Sequence, residues 1–292
     1  MPVLELILLG AIWGASFLFM RIGTPEFGPF ALILLRVGVA ALVLLPIMMR
    51  ASARQQVRTH WQHLLVVGFA NSALPFCLFA WSTLYLNAGM DAILNATTPL
   101  WGALLAWVWL KTPLTRDQSL GMLVGVIGVM ILAWPTVKHG QASTLPAMLA
   151  VLLATASYAV AGHYSKRHLA TVTPYVTAWG SQFFATLILL PVALALWPEH
   201  AVSHRAWASV LALGSVCTGL AFVIYFRLIH ARGAAYAMSV TFLIPLFGVT
   251  WGALFLGEPV GYEVIAGAAV ILLGIALTTG KLRILQRVRA TA

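Results

Sequence analysis

Residues 245–274 read PLFGVTWGALFLGEPVGYEVIAGAAVILLG, and residues 99–128 read PLWGALLAWVWLKTPLTRDQSLGMLVGVIG. The two stretches lie 146 positions apart and align without a gap. Pro99 meets Pro245, Pro113 meets Pro259, Gly121 meets Gly267 and Gly128 meets Gly274. The same offset brings Trp61 onto Trp207, Gly68 onto Gly214 and Arg21 onto Arg167. Leucine and alanine coincidences mean little in so apolar a chain, but proline, glycine and tryptophan matches at one offset do not arise by drift of composition. The chain reads as a duplication, with halves at 1–140 and 141–292.

Its solvent is lipid. Of 292 residues 61% are hydrophobic and only 8% charged, with a mean hydropathy of +0.95; a soluble domain needs about a quarter of its residues charged. A membrane-spanning helix takes about 20 mostly apolar residues. Ten windows qualify, at 3–20, 29–49, 62–84, 91–110, 118–135, 146–165, 175–197, 207–228, 235–256 and 262–280. The first has no basic leader and is read as a retained helix, not a signal peptide. The expected fold is therefore an all-α integral membrane protein of ten transmembrane helices. Five helices per half is an odd number, so the second half enters the membrane inverted. Inverted repeats are a common carrier architecture, with the substrate site between the halves near the bilayer midplane.

Net charge is +10, from 17 Lys and Arg against 7 Asp and Glu. Placement, not the total, is informative. Thirteen of the seventeen fall on the connectors and tail that share a side with the N-terminus, three fall opposite, and Arg36 lies within a span. By the positive-inside rule both termini are cytoplasmic, here at a bacterial inner membrane, and the basic balance implies no nucleic-acid partner. Cys77 and Cys217 sit in apolar runs and are read as unpaired thiols. No phosphate loop, metal-ligand spacing or catalytic dyad is visible, so an enzyme, a cofactor and ATP drive are not expected.

The opening Ala11-Ile12-Trp13-Gly14-Ala15-Ser16-Phe17, followed by Arg21, Pro29 and Arg36, resembles the first helices of EamA-type proteins of the drug/metabolite transporter superfamily. The run 245–274, with Leu256-Gly257-Glu258-Pro259, is similar to that family's most recognisable signature. Within the superfamily the chain is most similar to YddG-like amino-acid exporters. The resemblance implies a central cavity lined by helices one to four and six to nine, a small-molecule substrate, and export of amphipathic metabolites such as amino acids, aromatic ones included. A drug or nucleoside exporter, a membrane-embedded enzyme and a channel remain the alternatives; a monomer in the bilayer is expected. The chain departs from the family pattern at Thr112, where an acidic residue would match Glu258.

Candidate site residues follow from depth and type. Pro99 and Pro245 fall mid-span at equivalent positions and are read as hinges, because proline removes a helix hydrogen bond. Arg36 is the one strong charge well inside a span, with an insertion cost of about 2.5–3.5 kcal/mol. It is read either as a structural lock, to backbone carbonyls or Glu26, or as the partner of a substrate carboxylate. Trp13, Asn71, Tyr85, Asn95, Thr98, Trp101, Tyr158, Trp179, Gln182, Tyr225, Ser239 and Trp251 lie on the expected cavity helices and mix π surface with amides, as an amphipathic ligand needs. Asn95, Thr98 and Trp101 recur at a spacing of three, which would place them on one helix face. Trp107, Trp109, Trp134 and Trp197 lie near span ends and are read as interfacial belt. No acidic residue falls mid-membrane. His163 and Asp91 are the nearest candidates for a proton site, with Asp91 expected within a turn of water, so little dependence on a pH gradient is expected.

Overall fold

The computed structural model describes residues 2–109, 111–139 and 143–282. Among them every regular element is helical. Helix α1 runs Pro2–Val43 without a loop, although two spans were expected there; it turns at Gly28, whose φ of +70° only glycine adopts without strain. A short 3₁₀ turn, Leu45–Met49, leads into α2, Ala51–Gly68. That helix begins eleven residues before the window at 62, because the polar stretch after Arg50 is helical and not a connector. A π-helical segment, Phe69–Ala73, joins α2 to α3, Leu74–Ser82. Next come α4, Ala88–Asn95, and α5, Thr98–Val108, separated by a break at Ala96 and Thr97. Helix α6 is Arg116–His139.

The second half repeats the plan. Helices α7, Thr144–His168, and α8, Pro174–Ala195, are followed by α9, His204–Gly214. A second π-helical segment, Ser215–Leu220, leads into α10, Ala221–Arg232. It starts 146 residues after the first. A short α11, Ala234–Ala237, and a 3₁₀ turn, Met238–Phe242, precede α12, Ile244–Leu256; α13 is Tyr262–Thr278. Pro99 and Pro245 each sit in the first turn of the helix that restarts after a break, where a missing N–H costs nothing. Both helices are thus interrupted where proline predicts, and the interruption lies just before the proline.

Among the described residues six stretches are long and apolar enough to cross a membrane: Pro2–Val43, Ala51–Ser82, Arg116–Pro135, Thr144–His168, Pro174–Ala195 and His204–Arg232. Ile244–Leu256 and Tyr262–Thr278 are shorter apolar helices. Helices α6 and α13 pack against each other along most of their length. Elsewhere the two halves interlock: α1 packs on α8, α9 and α12, and α4 packs on α12. The α4–α12 contact is close because both faces are small. A Cβ on Gly248 would collide with Ala92, and one on Gly89 would press on Val249. At the equivalent place in the first half the geometry is the opposite. Gly102, on α5, faces open space, and among the described residues α5 makes no extended contact with α11 or the 3₁₀ turn after it. The crossing helices are therefore packed at one end and spread at the other.

Trp107, Trp109, Trp134 and Trp197 are all exposed, as a membrane-interface belt requires. Cys77 and Cys217 are buried and unpaired. The basic tail positions Arg283, Arg287 and Arg289 lie outside the described residues.

Candidate functional site

Arg36 is buried in the middle of the bundle, 5% exposed. Its Nε donates to Thr218 Oγ1 at 3.1 Å, in the second π-helical segment, and one terminal nitrogen reaches the Met20 sulfur at 3.5 Å. The guanidinium carbon lies 3.8 Å from the centre of the Phe76 ring. Among the described residues neither expected lock is present. Glu26 instead accepts two bonds from Ser203 at 2.6 Å, and among the described residues no carboxylate pairs with Arg36. A desolvated cation–π contact is worth about 2 kcal/mol, and a hydrogen bond from a charged donor about 1.5–3 kcal/mol. Together these offset the insertion cost while leaving the positive charge without a counter-ion.

A chain of aromatic rings runs on from Phe76. Phe76 meets Tyr158 edge to face at 6.3 Å, Tyr158 stacks on Phe79 at 6.0 Å, and Phe79 meets Phe17 at 5.5 Å. Trp13 and Tyr225 form a second pair across the halves, at 5.3 Å. Among the described residues the amides of Asn71 and Asn95 make no hydrogen bond, and both residues are only partly buried. These groups supply what an amphipathic ligand needs: a cation, ring surface and free amides.

Other sequence candidates are spent on structure. Gln182 is fully buried; its Nε2 donates to Ser72 Oγ at 3.0 Å and to Ser181 Oγ at 3.1 Å. Trp179 is buried and stacks on Phe183 at 4.7 Å. Trp251 Nε1 donates to the Ala11 carbonyl at 3.0 Å and ties α12 to α1. Thr98 and Ser239 hydroxyls each donate to a carbonyl three residues back, Asn95 and Tyr236. Because the helix breaks between them, Asn95 does not share a continuous face with Thr98 and Trp101. Tyr85 is exposed and packs on Trp81. Trp101 is half-buried on α5. His163 Nε2 donates to the Gly102 carbonyl at 3.0 Å and holds α5 on α7. Residues missed in the sequence include Phe76, Phe79 and Thr218. Thr218 was within reach, since the 146-residue offset places it on Ser72 as it places Gln182 on Arg36. A small cavity of about 170 Å³ near Asp117 and Thr278 lies between α6 and α13, apart from these groups.

One end of the bundle is latched. Both Glu258 carboxylate oxygens accept from the Ala88 N–H, at 2.9 and 3.0 Å, and one accepts from Gly89 N–H at 3.5 Å. The carboxylate thus caps the N-terminus of α4, where the helix dipole favours negative charge. Arg21 Nε lies 3.9 Å from Glu258, and its guanidinium also donates to the Thr83 carbonyl. Beside the latch Asp91 is fully buried, contrary to its expected place near water. One of its oxygens accepts from Ser82 Oγ at 2.8 Å and the other has no partner. At the opposite end the counterparts are Thr112 and Arg167. Both are exposed, and among the described residues neither bonds across the halves.

The EamA-like transporter family matches residues 1–134 and again residues 145–280, so the chain belongs to that family and is a multi-pass membrane transporter of two repeats. Curated relatives are similar along their whole length. "Uncharacterized transporter YoaV" of Bacillus subtilis is 23% identical, covering 95% of this chain and 96% of the relative. The "Probable terminal-alkyne amino-acid exporter" of Streptantibioticus cattleyicolor is 25% identical, covering 94% and 92%. The "Probable amino-acid metabolite efflux pump" of Salmonella typhimurium is 24% identical, covering 98% and 97%. A solved crystal structure, 17% identical, matches with a TM-score of 0.65 over 96% of both chains and shares the fold.

Proposed function

We propose that this member of the EamA-like transporter family is a secondary carrier that exports small amphipathic metabolites, amino acids including aromatic ones, by alternating access. The observation that carries the reading is Arg36: a buried guanidinium with no carboxylate partner, stacked on Phe76 where elements of both halves meet. A guanidinium matches a carboxylate in geometry and charge, and the rings of Phe76, Phe79, Tyr158, Trp13 and Tyr225 offer an apolar bed for a side chain. The amides of Asn71 and Asn95, which make no hydrogen bond among the described residues, would complete the polar part of the site. The names of two relatives, an amino-acid exporter and an amino-acid metabolite efflux pump, agree with this substrate class.

In the proposed topology α1 counts as two crossings about Gly28, and each broken or π-interrupted helix counts as one. This gives ten crossings in two inverted halves, 1–140 and 141–292, around a central site, in a bacterial inner membrane with both termini cytoplasmic. The latched end then faces outward and the spread end inward. Rocking of the halves about Pro99 and Pro245 would exchange them. Liposomes preloaded with unlabelled L-phenylalanine test the reading: saturable counterflow of labelled L-phenylalanine, lost in Arg36→Met, is expected. Counterflow seen only with nucleosides or cationic drugs would replace the substrate class, and single-channel currents would replace the carrier with a pore.

A further inference from the structure

We propose that the start of α2 binds one anionic phospholipid of the surrounding bilayer. Arg54 and Arg58 hold the headgroup phosphate, Trp61 lies at the glycerol level, and Val66 and Phe69 meet the acyl chains. The proposal needs only a chain that spans a bilayer and is independent of the amino-acid reading above.

Charge at this corner is unbalanced. Arg50, Arg54 and Arg58 are all exposed, and no aspartate or glutamate occurs between Glu26 and Asp91. Among the described residues the ion pairs lie elsewhere, at Arg21 with Glu258 and at Arg227 with Glu5. Arg54 and Arg58 are four residues apart, so their guanidinium groups share a helix face and repel each other. An anion held between them replaces that repulsion with two attractions, and the planar guanidinium fork matches phosphate oxygens. One terminal nitrogen of Arg54 donates to the Met48 and Met49 carbonyls, at 2.7 and 2.9 Å, which fixes the side chain in place. Its other nitrogens, and all those of Arg58, make no hydrogen bond among the described residues.

The segment is also held firmly from behind. Ala53 is buried, and Val57 packs against the cluster of Leu169, Val172 and Val176. Gln56 Oε1 accepts from the Thr173 N–H at 2.8 Å. These contacts tie the inner face of the segment to the second half and leave the arginine face outward. Helix α2 then bends at His60, where φ is −115° and ψ is 18°, so the basic turns need not continue the axis of the span.

Past the bend the exposed surface changes in the order that a phospholipid does. Trp61 and Gln62 come first, then Val66 and Phe69, and all four are exposed. Tryptophan favours the level between headgroup and hydrocarbon. Arg58 and Phe69 are about 16 Å apart along a helix axis, close to half of a hydrocarbon core about 30 Å thick. Lys166 and Arg167, the exposed basic pair in the last turn of α7, lack this sequence: no large apolar side chain is exposed between residues 154 and 165.

The test is native mass spectrometry of the detergent-purified full chain, titrated with phosphatidylglycerol or with phosphatidylcholine of the same acyl chains. Phosphatidylglycerol should bind in one tight step that the zwitterionic lipid lacks. At about fivefold per arginine, Arg54→Gln with Arg58→Gln should weaken that step about 25-fold, while Lys166→Gln with Arg167→Gln should leave it within about twofold. A second measurement needs no variant. Hydrogen–deuterium exchange of the parent chain across residues 51–59 should be slower in phosphatidylglycerol nanodiscs than in phosphatidylcholine ones. Equal affinity for the two lipids, an equal loss in both double variants, or full binding in the Arg54/Arg58 variant would overturn the proposal. So would displacement of the lipid by an equal concentration of inorganic phosphate, or exchange indifferent to the headgroup.

Discussion

Arg36 and Gln182 stand 146 positions apart and make the same contact in opposite halves. Arg36 Nε donates to Thr218 Oγ1 at 3.1 Å and Gln182 Nε2 donates to Ser72 Oγ at 3.0 Å. Each hydroxyl lies in a π-helical segment of the other half, so the two repeats hold one another by an exchanged pair of bonds. The contact is the same in both halves, but only one of the two positions carries charge. Arg36→Lys, which keeps the charge but loses the planar fork, should weaken amino-acid affinity at least about tenfold in counterflow assays. Gln182→Leu should instead lower thermal stability by about 1 kcal/mol with affinity unchanged.

Glu258→Gln should favour opening of the latched end, because the amide keeps one acceptor for the α4 N-terminus but loses the charge that the helix dipole and Arg21 stabilise. The loss is about 1 kcal/mol. The converse change, Thr112→Glu, should restore a cap for α11 at the opposite end and slow exchange by stabilising closure there. Accessibility of single engineered cysteines to a membrane-impermeant reagent, at Val260 for one end and Arg167 for the other, would read both shifts.

Pro99→Ala and Pro245→Ala should slow counterflow more than they reduce folded yield. Each proline starts a helix after a break, and alanine would let the helix propagate backwards through it. Parent transport rates in both well-folded variants would reduce the breaks to packing features.

Glu26 carries a pH prediction. Hydrogen bonds from the Ser203 hydroxyl and then the Ser203 N–H hold its carboxyl below the ordinary glutamate value of 4.5. A lowered folded value means that the stabilisation is full above 4.5 and is lost as pH falls through the folded value. Thermal unfolding of detergent-purified protein should show an acid-side loss of stability that is smaller in Glu26→Gln.

What could be read in the sequence was whatever rests on depth, periodicity and repetition. Arg36 stands out because a charge inside a span is costly wherever the helix points, and Pro99 and Pro245 because proline breaks a helix in any context. Asp91 was misplaced because its burial is decided by how the helices pack and not by its depth in a hydropathy window. Its carboxyl turns inward to Ser82 Oγ at the end of α3, and hydropathy sees only a carboxylate near a span end. The π-helical segments have no local cue either; Ser157 Oγ bonds the Ala70 carbonyl at 2.7 Å from another helix. The onset of α2 at Ala51 was hidden because polar helix and polar loop look alike to a hydropathy window.

Lys111 and Gly257 both take the left-handed conformation, with φ of 56° and 64°, at positions related by the repeat. Glycine accepts that geometry freely, whereas a lysine there costs about 1–2 kcal/mol. Duplicated genes begin with identical termini to their two halves, and divergence at one corner breaks that equality. A passive carrier gains no thermodynamic direction from such inequality. On the proposed carrier reading it would gain a kinetic one: if the strain at the Lys111 corner differs between states, the two reorientation steps would have different barriers. The slower of them would set the turnover number and decide on which side of the membrane the empty protein waits.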